Sequence, residues 1–325
     1  MHIYRQTLPI QPQTICWDSN GLIDWITGTR YDLNGHREDV SSRIYSGSFD
    51  RVIASASGTY IFLYQNLSTK ELLLKDGNLL REINRSDYHA DDYEYPVAFA
   101  TVAGTTYLIH CPLAYCRLDF EEVETGVLIT DVPGREPHDF FHSRLEVSSG
   151  GRFLLSKGWC WHPWDMVEAF DIEACLNNPL LLDSKPLQPA VGTEVCTAGF
   201  LDEEVVLLGT SGEEAMDEDL EATLPPQAIA FWNIRTNEVS PPVRVAAEFG
   251  NLFPLSKTLA WDLYQYPKLL DLTTGAVVAS LPELASGEQR SAIIRSNAPA
   301  IVFDRISGRI AFIADSQLQV LSWSH

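Results

Sequence analysis

Three tryptophans, a cysteine, a histidine and a proline lie within residues 158–165, GWCWHPWD. A tryptophan carries a large apolar ring with one polar edge, and it binds ligands and other proteins well when a fold holds it half-buried. The alternative is that these rings only pack between neighbouring elements and bind nothing. The candidate binding residues of this stretch are Trp159, Trp161, His162, Trp164 and Asp165.

Two further stretches combine aromatic rings with acids and histidines: SDYHADDYEYP at 86–96 and GREPHDFFHS at 134–143. Carboxylates beside aromatic rings can bind a cationic side chain, and histidines with aspartates can hold a transition metal. His138 and His142 are four residues apart, which would place both on one side of a helical turn and makes them the candidate metal pair. The remaining candidate binding residues are His89, Asp91, Asp92, Tyr93, His110 and Asp139.

The common catalytic and metal-binding motifs are missing from the sequence. It contains no HExxH, no paired CxxC, no phosphate-binding glycine loop with Lys-Ser/Thr, no dinucleotide-binding fingerprint and no GxSxG nucleophile elbow. We therefore expect neither a bound metal nor a cofactor, and we assign no catalytic residue.

Charge and composition restrict the class of partner. The 325 residues carry 44 acidic and 23 basic side chains, for a formal net charge of −21. Such a field repels nucleic acid and anionic membranes and favours a basic protein partner. The N-terminal stretch lacks the apolar segment of a signal peptide, and no stretch approaches the ~18 apolar residues of a membrane span. The six cysteines form no disulfide pattern, so we expect reduced thiols in a cytoplasmic, monomeric protein.

Short strand-like segments dominate the chain, and helical periodicity is nearly absent. The segments are rich in Val, Ile, Leu and aromatic residues, and Gly, Ser, Asp or Asn turns separate them. This pattern is typical of an all-β protein. Examples are RVIASAS, TYIFLYQ, AIAFWNI, RIAFIA and LQVLSW.

The turns recur with a period of about 50 residues, which predicts a β-propeller built from four-stranded blades. The residues expected to open the second strand of successive blades are Arg51, Thr106, Arg152, Glu204, Thr258 and Arg309. An earlier unit at 14–33 looks like a shortened blade, so we expect seven blades, or six if this unit is degenerate. The last unit ends after its third strand, and the N-terminal strand HIYRQTLPI would complete it and close the ring.

Strand-ending triplets of the form apolar-Asp/Asn-apolar, together with glycine turns, resemble those of WD-repeat and YVTN-like β-propeller proteins. The residues that carry the resemblance are Asp119, Asp171, Asn233, Asp271, Gly126 and Gly275. The blades lack the Gly-His and Trp-Asp dipeptides at WD-repeat spacing, so the subfamily is unassigned. The resemblance implies a binding scaffold rather than an enzyme.

A propeller would gather the candidate residues on one face. If the strands of each blade are lettered a to d outward from the axis, the d–a and b–c connections share a face, and the unusual stretches fall in these connections. The segment 211–226 is rich in acids and free of bases. We expect it to be a loop inserted between the second and third strands of blade 5, within a single domain that spans 1–325.

The sequence thus predicts a non-enzymatic scaffold that binds a basic protein through the d–a/b–c face. Two alternatives stay open. One is a hydrolase or lyase with an axial active site on the same face, and the other is an immunity-type inhibitor that neutralises a cationic toxin.

Overall fold

The chain forms seven antiparallel β-sheets that are arranged as the blades of a β-propeller, which confirms the predicted fold. The computed structural model describes residues 1–161, 163–210, 212, 223–294 and 298–324. First strands of most neighbouring blades contact one another, and this places them around a common axis. Among the described residues, no helix has the length and apolar character needed to cross a membrane.

Blades 1 to 3 follow the first strand of the chain, β1 (His2–Leu8). Blade 1 contains β2 (Cys16–Asp18), β3 (Gly21–Asp24), β4 (Thr29–Tyr31) and β5 (Arg37–Asp39). Blade 2 contains β6 (Arg51–Ala54), β7 (Tyr60–Tyr64), β8 (Lys70–Lys75) and β9 (Asn78–Asn84). Blade 3 contains β10 (Val97–Val102), β11 (Thr105–His110) and β12 (Asp119–Glu122). The unit at 14–33 is therefore part of a full blade with short strands, and the ring has seven blades rather than six.

Blades 4 and 5 contain the most irregular segments. Blade 4 contains β13 (Glu146–Val147), β14 (Phe153–Cys160) and β15 (Trp164–Asp171). Two short helices, α1 (Ile172–Asn177) and α2 (Leu181–Ser184), follow β15. Blade 5 contains β16 (Val195–Phe200), β17 (Val205–Thr210), β18 (Ala228–Asn233), β19 (Glu238–Val239) and β20 (Val243–Arg244). The segment 211–226 joins β17 to β18, but residues 211 and 213–222 lie outside the described residues.

Blades 6 and 7 close the ring. Blade 6 contains β21 (Leu252–Ser256), β22 (Leu259–Asp262), β23 (Lys268–Asp271) and β24 (Val277–Ser280). Blade 7 contains β25 (Ile301–Asp304), β26 (Arg309–Ala314) and β27 (Gln317–Ser324). Strand β1 pairs antiparallel with β27, from His2 opposite Ser324 to Leu8 opposite Leu318. The N-terminal strand is thus the fourth strand of the last blade, as predicted.

The hydrophobic core is divided among the junctions between blades. In the described part of the chain, seven clusters of buried side chains each join two neighbouring blades. Ile3 and Leu8 of β1 enter the clusters on either side of blade 7, so burial of apolar area as well as strand pairing holds the closure. An eighth cluster lies outside these junctions. It contains Tyr93 and Phe141 from connections between strands and Trp159 from the end of β14.

The turn at 271–275 shows how the repeated triplets act. The Asp271 carboxylate accepts hydrogen bonds from the backbone N–H groups of Thr273 (2.8 Å) and Thr274 (3.1 Å). Gly275 has a φ of +72°, and a Cβ there would lie 2.0 Å from the Arg244 carbonyl oxygen. The turn therefore requires glycine for both its backbone angle and its close approach to the next segment.

One element of the predicted repeat is wrong. Arg51 opens β6, which is the first strand of blade 2 and not its second. The second strand begins at Tyr60, after the ASASG turn. Both strands begin after a turn rich in Ser and Gly, and this similarity made the two positions hard to distinguish.

Candidate functional site

The two ends of the GWCWHPWD stretch are paired strands, not the loop that the sequence suggested. Residues up to Cys160 belong to β14, and β15 begins at Trp164, whose backbone lies opposite Cys160. Trp159 exchanges hydrogen bonds with the backbone of Phe141, at 2.8 and 3.2 Å. A Cβ at position 158 would lie 2.0 Å from the Phe141 carbonyl oxygen, so Gly158 permits this close approach. His162 lies outside the described residues.

Phe141 is the centre of an aromatic cluster formed by the connections of blades 3 and 4. Its ring stacks on Trp159 at 3.9 Å and on Tyr115 at 4.1 Å between centroids. Around these three rings lie Tyr88, His89, Tyr93 and Trp161. We call these seven residues the aromatic stack. It brings the 86–96 stretch and the GWCWHPWD hairpin together, as the propeller geometry predicts.

The aromatic stack is exposed at Trp161 and Tyr88 and buried beneath them. Trp161 is 42% exposed and Tyr88 is 45% exposed, whereas Trp159 is 3% exposed. The Nε1 atom of Trp159 is buried and has no hydrogen-bond partner within the described part of the chain. The two exposed rings are therefore supported from below by packed rings, which restricts their motion.

Carboxylates surround the exposed rings. Asp92 lies 2.7 Å from the His89 Nδ1 atom, and Asp139 accepts a hydrogen bond of 2.7 Å from the Tyr115 hydroxyl. Asp91 and Asp139 are exposed to solvent. The Tyr115 pKa lies above its usual value, because of burial and the nearby Asp139. We call the surface formed by Tyr88, Asp91, Asp92, Tyr115, Asp139 and Trp161 the acidic-aromatic face.

A strap, residues 282–294, crosses the propeller from blade 6 to blades 3 and 4. Near its start, Gly287 pairs with Gln265, which lies in the b–c connection of blade 6. At its other end, the Ala292 N–H donates to Asp165 Oδ1 at 2.8 Å, and Ile293 bridges to Tyr93. Blades 6 and 3 lie on opposite sides of a seven-bladed ring, so the strap passes over the axis.

The strap was not assigned by the sequence analysis. It belongs to the d–a connection between Ser280 and Ile301, which is much longer than most connections between strands. Length alone could have marked it as a segment of interest. Its path across the axis depends on tertiary contacts that have no local sequence pattern.

Asp165 is a buried anchor for the strap rather than a surface residue. Burial raises its pKa to about 7, although Arg144 opposes this shift. Its backbone N–H donates to Glu194 at 3.0 Å. Of the other candidate residues, Trp164 and Asp92 are half-buried. Tyr93 is buried, and the Arg85 guanidinium carbon lies 4.7 Å from the centre of its ring.

Three of the candidate histidines have polar partners that do not belong to the acidic-aromatic face. His110 is fully buried in β11, 3.1 Å from Glu121. His142 is also buried, which lowers its pKa to about 3, and its ring lies 3.1 Å from the Ser156 hydroxyl. His138 lies 2.8 Å from Glu168, and this hydrogen bond raises the pKa of His138.

The candidate metal pair is not supported. Residues 138–142 are not helical, so the predicted helical turn is wrong, and the Phe140 ring lies against both His138 and His142. Among the described residues there is no group of three or more His, Cys, Asp or Glu side chains that could hold a metal ion.

An axial cavity of about 600 Å³ lies within the ring of first strands. Its wall includes Gln289 of the strap together with Pro299 and Ala300, which precede β25. Charged side chains also line it: Arg51, Glu94, Arg144, Glu146, Lys157 and Arg305. The sequence predicted an axial position for the alternative active site. It identified none of these residues, because they are spread over the first strands of several blades.

Glu146 organises the cations at one part of this cavity. Its carboxylate pairs with Lys157 at 2.8 Å and with the Arg305 guanidinium. Burial alone would raise the pKa of Glu146, but these two cations lower it to about 2. The Glu146 charge is therefore fixed across the physiological pH range.

Fold and site together define a seven-bladed β-propeller with an acidic-aromatic face and a strap across its axis. No family model matches the chain, and no curated protein matches it. Its fold is similar to that of a chain in the crystal structure of the mitotic checkpoint complex, with a TM-score of 0.56 and 11% sequence identity. The match covers 90% of this chain and 79% of the other. This likeness is one of fold, and it agrees with the β-propeller architecture.

Proposed function

We propose that this propeller is a protein-interaction module that binds a cationic segment of a partner protein through the acidic-aromatic face. One observation carries the proposal. Trp161 and Tyr88 are exposed on a packed aromatic stack, with Asp91, Asp92 and Asp139 beside them.

Rigid aromatic rings and opposite charge both favour binding of a cationic segment. Tryptophan and tyrosine are enriched among the residues that dominate binding energy at protein interfaces. Because Trp161 and Tyr88 rest on buried rings, they lose little conformational entropy when a partner covers them. A lysine or arginine over such a ring gains a cation–π interaction of about 0.5–2 kcal/mol.

Charge favours a cationic occupant over an anionic one. The formal net charge of −21 attracts basic segments from a distance. Exposed carboxylates next to the rings then act at short range and fix the register of the bound segment. One solved chain with a similar fold comes from the mitotic checkpoint complex, and a position within a complex is compatible with the proposed role.

The alternative of a hydrolase or lyase gains no supporting observation. The described wall of the axial cavity contains no histidine, and its Glu146 is held in ion pairs that suit an ionised structural group better than a general base. A cationic toxin would satisfy the proposed chemistry, so the immunity-type inhibitor is one specific version of the proposal.

A displayed library of random peptides provides the test. Selection against the full chain should enrich lysine- and arginine-containing peptides, and a synthetic copy of an enriched peptide serves as the probe. The double variant Trp161→Ala/Tyr88→Ala should lose at least about tenfold in affinity for that peptide. Ile306→Ala is the matched control, because Ile306 is 99% exposed in an a–b turn on the opposite face.

Two results would overturn the proposal. One is a selection that enriches no cationic peptides. The other is a double variant that stays folded, by circular dichroism, and binds the peptide as tightly as the Ile306→Ala control does.

A further inference from the structure

The axial cavity differs in charge from the rest of the chain. Four cationic side chains and two acidic ones stand in its described wall, although acids outnumber bases almost two to one in the sequence. Glu146 neutralises part of the cationic charge through its contacts with Lys157 and Arg305. Arg144 and Arg51 are the other two cations of the wall.

Arg144 is a buried cation without a close counter-ion. It is 8% exposed, and no carboxylate among the described residues lies within 4.0 Å of its guanidinium. Its Nε and Nη2 atoms donate to the carbonyl oxygens of Lys157 (3.3 Å) and Cys196 (3.2 Å), and Nη1 donates to no described residue. Asp165 influences Arg144 from a longer distance. A buried cation in this situation costs folding free energy unless something else compensates for it.

The backbone of Arg144 adds a second cost. Its φ is +44°, in the left-handed region that residues other than glycine rarely adopt. Strain of this kind persists where the surrounding structure holds a residue in place, and it is concentrated at functional sites. Burial, missing counter-ion and strain therefore coincide at one residue in the wall of a cavity.

Arg51 supplies a second cation in the same wall. Its Nη2 atom donates to the Ala298 carbonyl oxygen at 2.8 Å, and Asp50 lies 3.5 Å from Nη1, so its charge is only partly offset. Glu94 lines the cavity too and would repel an anion placed beside it. Apolar side chains complete the wall: Val52, Ile53, Ala198, Phe253, Ile301 and Phe303.

We propose that the axial cavity binds a small organic anion, whose carboxylate or phosphate group lies on Arg144 and whose apolar body lies against the neighbouring side chains. The cavity of about 600 Å³ lies within the range of small-molecule sites. An arginine guanidinium matches both carboxylate and phosphate oxygens in geometry. This site is separate from the acidic-aromatic face, so the proposal stands or falls independently of the protein-binding function.

Titration calorimetry on the full chain tests the proposal with defined probes. Benzoate and phenyl phosphate represent the two anionic groups, and benzamide is the neutral control. At least one of the two anions should bind with one-to-one stoichiometry, and benzamide should bind at least about tenfold more weakly. Arg144→Gln should lower the affinity for the anion by about tenfold or more. Arg235→Gln, at an exposed turn of blade 5, should leave that affinity unchanged.

A second variant covers the case in which Arg144 is needed for folding. Ala300→Phe places a ring in the cavity without changing its charge, and it should abolish anion binding while the protein stays folded. The proposal is overturned if neither anion binds, if benzamide binds as tightly as benzoate, or if both the Arg144→Gln and Ala300→Phe proteins fold and bind the anion unchanged. In that last case Arg144 serves only to join blade 4 to blade 5 through its carbonyl contacts.

Discussion

The acidic-aromatic face and the axial cavity are separated by the strap and have opposite chemistry. On the face, exposed rings and carboxylates lie over a packed aromatic stack. In the cavity, cations exceed acids in the described wall, and Arg144 is buried with no carboxylate close to it. The comparison teaches that one propeller can hold both a cation-binding surface and an anion-binding site. The connections contribute most of the surface and the first strands line much of the cavity, so different stretches of the sequence determine the two.

Within the aromatic stack, the largest difference in stability is expected between Trp159→Ala and Trp161→Ala. Trp159→Ala removes a buried ring that stacks on Phe141, and it should lower the free energy of unfolding by about 3–5 kcal/mol. Trp161→Ala removes a half-exposed ring and should cost about 1 kcal/mol or less. Urea unfolding followed by circular dichroism measures both. Equal losses would assign Trp161 to packing and remove the main support for a binding surface.

The buried Asp165 carboxyl gives the next largest effect. Because the pKa of Asp165 is raised in the folded state to about 7, the folded protein favours the protonated carboxyl. Its stabilising contribution is complete below the unfolded pKa of about 4 and is lost as the pH rises through 7, on the order of 2 kcal/mol between about pH 5 and pH 8. Asp165→Asn should flatten this part of the stability profile, and an unchanged profile would show that another group titrates there.

The Glu146→Gln variant tests how charge in the cavity affects anion binding, and its effect on stability should be smaller than that of Asp165. Glu146→Gln leaves Lys157 and Arg305 without their shared carboxylate, and it should cost about 1–2 kcal/mol at neutral pH. Since the pKa of Glu146 is lowered to about 2, the wild-type advantage should disappear as the pH falls from about 4.5 towards 2. The same variant should bind benzoate or phenyl phosphate a few times more tightly and leave binding of the cationic peptide unchanged. Weaker peptide binding would contradict the separation of the two sites.

Exposed carboxylates should give the smallest effect. Asp91→Asn and Asp139→Asn should each lower the affinity for the cationic peptide, by about two- to fivefold at low salt and by less at high salt. Glu82→Gln, on the outer strand of blade 2, is the matched control and should leave the affinity unchanged. Fluorescence anisotropy at two salt concentrations is sufficient. If Glu82→Gln weakens binding as much as the other two, net charge rather than the face determines affinity.

Much of the fold could be predicted because it depends on local patterns. Strand-like segments, glycine turns such as Gly275 and the unpaired third strand at the C-terminus together predicted seven blades closed by β1. The meeting of the 86–96 stretch with Trp161 followed from the same geometry. These features need only chain order and the alternation of connections between two faces.

Other features could not be predicted because burial is decided between blades. His110 and His142 were candidates for a surface site in the sequence, yet both are buried in the folded chain. Arg144 has no sequence motif, and its position in the cavity wall depends on the closed ring. The path of the strap likewise depends on contacts between Asp165 and Ala292, which are far apart in the chain.

Hydrogen–deuterium exchange with the selected cationic peptide tests the central claim most directly. The account predicts that peptide binding slows exchange in 86–93 and 158–161, which carry the acidic-aromatic face, and leaves the a–b turn at 304–308 unchanged. Protection confined to 304–308, or to the outer strands of the blades, would contradict the account.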